Sequence, residues 1–191
     1  MEVKVFSVES QHVMPWKNGL GTTRELCSDA AKPGGEWTWR LSLADVPQAG
    51  PFSEFPGVDR HILCVRGGGM HVSVDGSWQR VPRVGDALRF RGEAQVKGQP
   101  HGHGVQDMNL MVHRAFWRGA MRMVRGGHLD VQGASFLILH ATHTAGTCKV
   151  GDHAVNLQLG QTALVKAPGV PAIHPDGKCA WVLAALFPAA Q

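Results

Sequence analysis

Val84-Gly85-Asp86-Ala87-Leu88 places a glycine turn before an apolar strand, and the same cadence returns 75 residues later as Leu159-Gly160-Gln161-Thr162-Ala163. The same displacement sets the apolar run Ile62-Leu63-Cys64 on Leu137-Ile138-Leu139, with no gap between the two matches. Segments that repeat in this way predict an internal duplication, although two β-rich segments can also agree by chance. Two β-halves of this length predict two small barrels or jelly rolls.

Alternation of apolar and polar residues extends the β prediction along the chain. In the run 37–43, Trp and Leu side chains share one face, and Thr38, Arg40 and Ser42 share the other. The run 107–113 alternates in the same way. A period of two is typical of strands, and the scattered 24 Gly and 11 Pro supply frequent turns. We therefore predict an all-β chain.

The glycine-turn cadence is similar to that of cupins. We predict one bicupin domain over residues 1–191, made of two cupin-like (RmlC-like jelly-roll) barrels. The first half covers about 1–114 and the second about 115–191. We also expect the N-terminal extension to lie against the mouth of the first barrel.

Composition and charge limit which partners and which cell compartment we expect for this protein. The formal charge of +4 and the pI near 9.1 permit an anionic ligand but are too weak to indicate nucleic acid. The first residues do not show the basic region followed by an apolar run that is typical of a signal peptide. No apolar run is long enough to span a bilayer. Four widely spaced cysteines favour free thiols in a reducing compartment. We therefore expect a cytoplasmic protein that does not associate with membranes.

Metal ligands are sparse where a catalytic cupin would hold them. The first window, 60–69, offers only His61, and the second, 136–147, offers His140 and His143 without a nearby carboxylate. We therefore expect no metal and no cofactor. His101-Gly102-His103 could chelate a metal adventitiously, but a surface loop is favoured, because two ligands on a glycine-rich loop fix geometry poorly.

The segment from Met14 to Leu26 is the least generic in the chain. It combines a flat aromatic ring, cations and hydrogen-bonding groups around Gly19 and Gly21, a set that suits a small carboxylate ligand. A phosphate-binding loop is rejected, because the lysine precedes the glycines and no helix clearly follows. The candidate ligand-binding residues of this segment are Trp16, Lys17, Asn18, Thr22 and Arg24.

Further candidates come from an aromatic loop and from two strands. The loop 50–61 leads into a strand at Arg60, where a salt bridge to Asp59 or Glu54 is the bland alternative. Polar residues at alternate strand positions point one way, so they would meet in one pocket. The candidates are Arg40, Ser42, Ser53, Phe55, Arg60, Asp107 and Asn109. The structural alternative is that Arg40 or Arg60 simply pairs with Asp107.

These motifs together resemble the HutD/Ves family of cupin-like proteins. The matching residues cover roughly the first 115 positions, while the C-terminal half matches only as a diffuse β-pattern. Leu20 stands where the family usually has another glycine, and Met108 where phenylalanine is expected. The motifs are Pro15-Trp16-Lys17-Asn18-Gly19, Gly21-Thr22-Thr23-Arg24-Glu25, Trp39-Arg40-Leu41-Ser42, Gly50-Pro51-Phe52-Ser53, Phe55-Pro56-Gly57, Asp59-Arg60, and Asp107 with Asn109-Leu110-Met111.

The resemblance implies a two-cupin fold and a link to histidine utilisation. The leading hypothesis is a non-catalytic protein that binds a small anionic metabolite, by resemblance urocanate or formiminoglutamate. The second is a metal-independent isomerase or hydrolase with Asp107 or His113 as general base. The third is a regulator that touches nucleic acid through the arginines of Arg114–Arg125, a segment for which we favour a strand over a helix. A homodimer is left open.

Overall fold

The computed structural model describes residues 1–16, 19, 21–126, 129–166 and 172–190, and within them the chain is built from β-strands. One 3-10 turn, Val8–Ser10, interrupts the strands near the start. Among the residues described, no helix is long and apolar enough to cross a membrane. The prediction of an all-β chain is therefore confirmed.

The strands number nineteen in the described part of the chain. In order they are β1 (Glu2–Phe6), β2 (His12–Pro15), β3 (Thr22–Ser28), β4 (Trp39–Val46), β5 (Gly50–Pro51), β6 (Val58–Gly67), β7 (Met70–Val74), β8 (Ser77–Val81), β9 (Ala87–Arg91), β10 (Val96–Pro100), β11 (Val105–His113), β12 (Trp117–Val124), β13 (Leu129–Asp130), β14 (Phe136–His140), β15 (Gly146–Val150), β16 (His153–Leu157), β17 (Thr162–Lys166), β18 (Ala172–Pro175) and β19 (Trp181–Pro188).

The N-terminal unit, His12–Phe116, consists of two antiparallel sheets. The larger has the order β2-β3-β4-β11-β6-β9, and the smaller has the order β5-β10-β7-β8. Ile62 from the larger sheet packs with Met70 and Val72 from the smaller one, and all three are fully buried. Burial of such side chains is the main favourable term in folding, so the space between the sheets is the core of this unit.

The C-terminal unit combines Met1–Gln11 with Trp117–Gln191. Its five-stranded sheet has the order β1-β17-β14-β19-β12, and its four-stranded sheet has the order β13-β18-β15-β16. Leu137 and Trp181 of the first sheet pack with Cys148 of the second. This unit therefore has a core of its own.

Strand order repeats between the units at the displacement seen in the sequence. The run β4-β11-β6-β9 corresponds to β12-β19-β14-β17, and β5-β10-β7-β8 corresponds to β13-β18-β15-β16. Moving β6 to β11 forward by 75 residues brings each onto its counterpart to within about a residue at most strand ends. The weak sequence repeat thus has a topological counterpart.

The first eleven residues belong to the C-terminal unit, whereas the sequence analysis assigned them to the first half, residues 1–114. β1 pairs antiparallel with β17, from Glu2 opposite Lys166 to Phe6 opposite Thr162, so it extends a sheet of the C-terminal unit. The expected position of the whole N-terminal extension, at the mouth of the first barrel, therefore does not apply to β1. Sequence alternation shows that β1 is a strand but carries no information on which sheet edge it joins.

The arginine-rich segment forms a strand, as favoured from the sequence. Arg118 and Arg122 are exposed on β12, while Met121 and Val124 are buried. Arg114 lies before this strand, and its guanidinium pairs with Asp59 at 3.2 Å. It also pairs with Glu93 at 2.8 Å, so part of the supposed basic stripe is neutralised.

Candidate functional site

A cavity of about 540 Å³ opens in the N-terminal unit. It lies among β3, β4, β6 and β11 of the larger sheet, the aromatic loop, and the end of β2. The residues that line it are Met14, Pro15, Trp16, Thr23, Arg40, Ser42, Ala44, Val46, Pro51, Phe52, Ser53, Glu54, Phe55, Arg60, Asp107, Asn109 and Met111.

Strand register brings the polar side chains together. On β11, alternate residues face the cavity, and each lies beside inward residues of the two flanking strands. Met111 lies between Arg40 of β4 and Arg60 of β6. Two positions earlier, Asn109 lies opposite Ser42. The structure thus brings Arg40, Ser42, Arg60, Asp107 and Asn109 to one cavity, as the alternation predicts, and their binding of a ligand stays a prediction.

Arg60 is buried in an aromatic cage. Its guanidinium carbon lies 5.3 Å from the ring centre of Phe52, 5.6 Å from Phe55 and 5.1 Å from Phe90. Its Nη1 donates a hydrogen bond to the backbone oxygen of Ser53 at 2.9 Å, which ties the aromatic loop to β6. Burial lowers the pKa of Arg60 to about 10, so it stays a cation at neutral pH. The salt bridge to Asp59 or Glu54 considered from the sequence is not among the described ion pairs.

Arg40 is the second cation of the cavity. Its guanidinium lies over Trp37 at 5.0 Å from the ring centre and over Phe55 at 5.9 Å, and its Nη2 donates to Met111 Sδ at 3.2 Å. Burial lowers the pKa of Arg40, and the charge of Glu25 opposes this shift. The Nε atoms of both cavity arginines are buried without a hydrogen-bond partner among the described residues.

Asp107 is the buried acid of the site. Its side chain is 1% exposed, and neither carboxyl oxygen has a hydrogen-bond partner in the described part of the chain. Burial raises the pKa of Asp107 to about 7, against the lowering effect of Arg60. The ion pairs formed within 4.0 Å by described residues do not include Arg60 or Arg40 with Asp107, so the simple pairing considered above is not formed.

Asn109 and Ser42 complete the polar wall. Ser42 Oγ donates to the backbone oxygen of Asn109 at 3.5 Å, while Asn109 Oδ1 is buried without a described partner. A buried polar group left without a partner costs about 1–3 kcal/mol. Several such groups around one cavity are typical of a site completed by a ligand or by ordered water.

Trp16 closes one side of the cavity. Its Nε1 donates to Thr23 Oγ1 at 2.8 Å, and its backbone nitrogen donates to the Gly21 oxygen at 2.9 Å. Gly21 packs against the indole ring and the backbone oxygen of Asp45 so closely that a Cβ there would overlap both. Trp16 is therefore held by a close approach that only glycine allows.

Gly21→Ala is expected to destabilise the N-terminal unit by about 2–3 kcal/mol, because the new methyl group collides with the Asp45 backbone and the Trp16 ring. Gly19→Ala is the matched control. Gly19 has φ of +69° but open space around a Cβ, so its substitution should cost only about 1 kcal/mol. Urea unfolding measures both, and equal losses would contradict the packing role of Gly21.

Two predicted residues of the N-terminal segment, Thr22 and Arg24, do not line this cavity, a correction to the sequence prediction. Thr22 Oγ1 donates to Asp45 Oδ2 at 3.1 Å, and Arg24 lies 3.7 Å from the same carboxylate. On β3 it is Thr23, paired with inward-facing Ala44, that lines the cavity. Lys17 and Asn18 lie outside the described residues.

Two residues of the site were missed by sequence reasoning: Met111, which lines the cavity, and Phe90, which contacts Arg60. Met111 could have been found, because it shares the alternating face of Asp107 and Asn109. Phe90 reaches Arg60 from β9, which pairs with β6, and no local sequence signal indicates that contact.

None of the histidines that the structure describes lines the cavity. His113, the alternative general base, lines a separate opening of about 690 Å³ with Trp37 and Phe116. His101 Nδ1 lies 3.2 Å from the Gly68 backbone oxygen. His140 Nδ1 lies 2.9 Å from Thr162 Oγ1. Among the described residues, no three His, Cys, Asp or Glu side chains form a group that could hold a metal.

The corresponding place in the C-terminal unit is lined by apolar side chains and one arginine. On the neighbouring strands β11 and β6, Asn109 pairs with Ile62. At the equivalent position of the C-terminal unit, Ala185 of β19 pairs with Leu137 of β14. Two residues earlier on β19, Leu183 occupies the position of the acid. The cavity there measures about 280 Å³ and is lined by Ala120, Met121, Arg122, Val131, Leu183, Ala185 and Phe187. The polar set therefore belongs to the N-terminal unit.

Sequence comparison finds related proteins over most of the chain. The HutD family model matches residues 8–181. A protein of Pseudomonas putida described as an uncharacterized 21.2 kDa protein in the hutC 3′ region is 37% identical over 67% of each chain. Protein Ves of Citrobacter koseri is 27% identical over 91% of this chain and 98% of its own length.

Solved structures extend the similarity. A conserved protein of unknown function from Pseudomonas aeruginosa PAO1 is 29% identical, with a TM-score of 0.85 over 98% of this chain and all of the other. HutD from Pseudomonas fluorescens SBW25, in a formate condition, is 26% identical, with a TM-score of 0.81 over 99% and 100%. Oxalate decarboxylase of Lactobacillus farciminis is 10% identical, with a TM-score of 0.64 over 96% and 85%. The last similarity is one of cupin-like fold alone.

Proposed function

Because the chain belongs to the HutD family, we propose that its N-terminal unit binds a small carboxylate-bearing metabolite and that the protein senses or modulates histidine utilisation without catalysing a reaction. The observation that carries this proposal is the set of buried, unpartnered polar atoms around one cavity. A core would not hold several such groups idle at about 1–3 kcal/mol each.

The charges of the cavity support a carboxylate as the ligand class. Arg40 and Arg60 supply two cations on neighbouring strands, each with an unpartnered Nε donor. Guanidinium groups favour planar carboxylates. Trp16 and Phe55 form aromatic walls, and Asn109 Oδ1 offers an acceptor that orients the rest of the ligand.

The ligands that we propose are urocanate and formiminoglutamate. A cavity of about 540 Å³ lies in the range of small-molecule sites, roughly 300–1,000 Å³. The link to histidine degradation is supported by the hutC-region relative and by the HutD structure.

Melting curves with and without urocanate, formiminoglutamate and formate test the binding. Wild type should melt higher with at least one of the three. Asn109→Ala should lose most of that increase, because the variant lacks the orienting amide. Asn156→Ala, an asparagine substitution in the C-terminal unit, is the control and should keep the full response. No increase in wild type at millimolar ligand would count against the proposal.

A metal-independent isomerase or hydrolase is the second candidate. The observation that favours it is the raised pKa of Asp107, near 7 in a ligand-sized cavity, which suits a general acid or base. Chromatography after incubation with each acid would reveal turnover, and product formation lost in Asp107→Asn would select this candidate.

We also propose that the two units are duplicated cupin folds. The corresponding strand orders support this, as does the similarity in fold to oxalate decarboxylase. Only the N-terminal copy would then carry the ligand site.

A further inference from the structure

The surroundings of Asp107 are unusual for an acid beside two arginines. Asp107 is almost fully buried, and neither oxygen has a hydrogen-bond partner of good geometry among the described residues, although its own backbone N–H and the charge of Arg60 lower its pKa. Arg60 is the arginine whose charge acts on Asp107, but its guanidinium contacts three aromatic rings and donates a hydrogen bond to the Ser53 backbone oxygen. The cavity thus contains a carboxyl group that its cations do not pair.

The other groups around Asp107 do not stabilise its ionised form. Cys64 lies opposite it on β6 and is buried, with its thiol pKa raised mainly by burial. Asp45 on β4 adds a repulsive charge. Glu54 lies on the aromatic loop at the cavity and is a further acid. The facing strands β7, β8 and β10 contribute the apolar Met70, Val72, Val81 and Val96.

On the premise of the carboxylate-binding function above, we propose that Asp107, in its protonated form, donates a hydrogen bond to the ligand's carboxylate, so that binding takes up one proton wherever Asp107 is ionised in the free protein. The proton passes from solvent to a carboxyl oxygen of Asp107, which then donates an O–H···O hydrogen bond to the ligand. No covalent bond forms or breaks.

The sign of the effect follows from linkage. Burial has already raised the pKa of Asp107 to about 7, and an anion bound beside it raises the pKa further. Affinity is therefore full below about pH 6 and falls by up to tenfold for each pH unit above about 7. A ligand presenting a cationic N–H group would show the opposite dependence, because it would favour the ionised acid.

Acetate is the probe, since its carboxyl group, like those of Asp and Glu, titrates near pH 4 and stays ionised above pH 5.5. Its Kd is measured by NMR titration of the amide signals from pH 5.5 to 8.5, in wild type and in Asp107→Asn. The wild-type Kd should rise at least tenfold between pH 6.5 and 8.5. The Kd of the variant should not change with pH, because an amide donates a hydrogen bond without titrating.

The outcomes separate the two proposals. Binding by wild type with a Kd independent of pH, or stronger at high pH, would overturn the role of Asp107 and leave the carboxylate site standing. A pH dependence retained in Asp107→Asn would assign the titration to another group and also overturn it. No acetate binding at any pH, with no response to the three acids above, would remove the carboxylate site itself. Should the variant fail to fold, the wild-type profile alone decides.

Discussion

Asp107→Asn is expected to gain stability relative to wild type as pH rises, by on the order of 4 kcal/mol between pH 4 and pH 8. The folded pKa of Asp107 is raised to about 7, whereas an unfolded aspartate titrates near 3.9. The folded wild type thus holds a proton that the unfolded chain gives up. Its stability is full below about pH 4, falls as pH rises from about 4 to 7 and changes little above that, a loss that the amide avoids.

Urea unfolding at pH 4, 6 and 8 measures this gain. Asp152→Asn, which removes an exposed acid from the C-terminal unit, controls for the change of net charge. A difference in free energy of unfolding between Asp107→Asn and wild type that stays constant over this range would show that Asp107 is ionised throughout.

Arg60→Ala is expected to lower the free energy of unfolding by about 3 kcal/mol and to abolish the ligand-induced rise in melting temperature. The substitution removes the hydrogen bond to Ser53 and the contacts with three aromatic rings, so the loop loses its attachment to β6. It also removes the buried cation whose charge lowers the pKa of Asp107.

Arg89→Ala is the matched control for Arg60→Ala. Arg89 pairs with Asp59 at 2.7 Å on the neighbouring strand, but its side chain is 59% exposed. Exposed ion pairs contribute about 0–1 kcal/mol, so Arg89→Ala should cost little and keep the ligand response. An Arg60→Ala variant that melts like wild type and still responds to ligand would refute both roles of Arg60.

The site could be predicted best where strands alternate clearly. Arg40 and Ser42 on β4, and Asp107 and Asn109 on β11, each sit between apolar neighbours, so the inward face could be read from the pattern. β3 gave no such guide. The run Thr22-Thr23-Arg24-Glu25 is polar at every position, and the cavity side was chosen wrongly for Thr22 and Arg24.

Long-range pairing accounts for what the sequence left open. Whether β1 joins one sheet edge or another depends on backbone groups that every strand carries, so its pairing with β17 has no local signal. The aromatic cage of Arg60 also depends on long-range pairing, because Phe90 lies on a strand thirty positions further along the chain. The repeated strand order had a signal in the sequence only because turn glycines and apolar strands kept their spacing.

A crystal structure of the wild-type protein soaked with urocanate near pH 6 would show whether the cavity binds a carboxylate. We predict one molecule in the cavity of the N-terminal unit, with its carboxylate within hydrogen-bonding distance of Asp107 and of Arg40 or Arg60. Ordered water filling that cavity at saturating urocanate, formiminoglutamate and formate, with Asp107 and Asn109 satisfied by water alone, would contradict it.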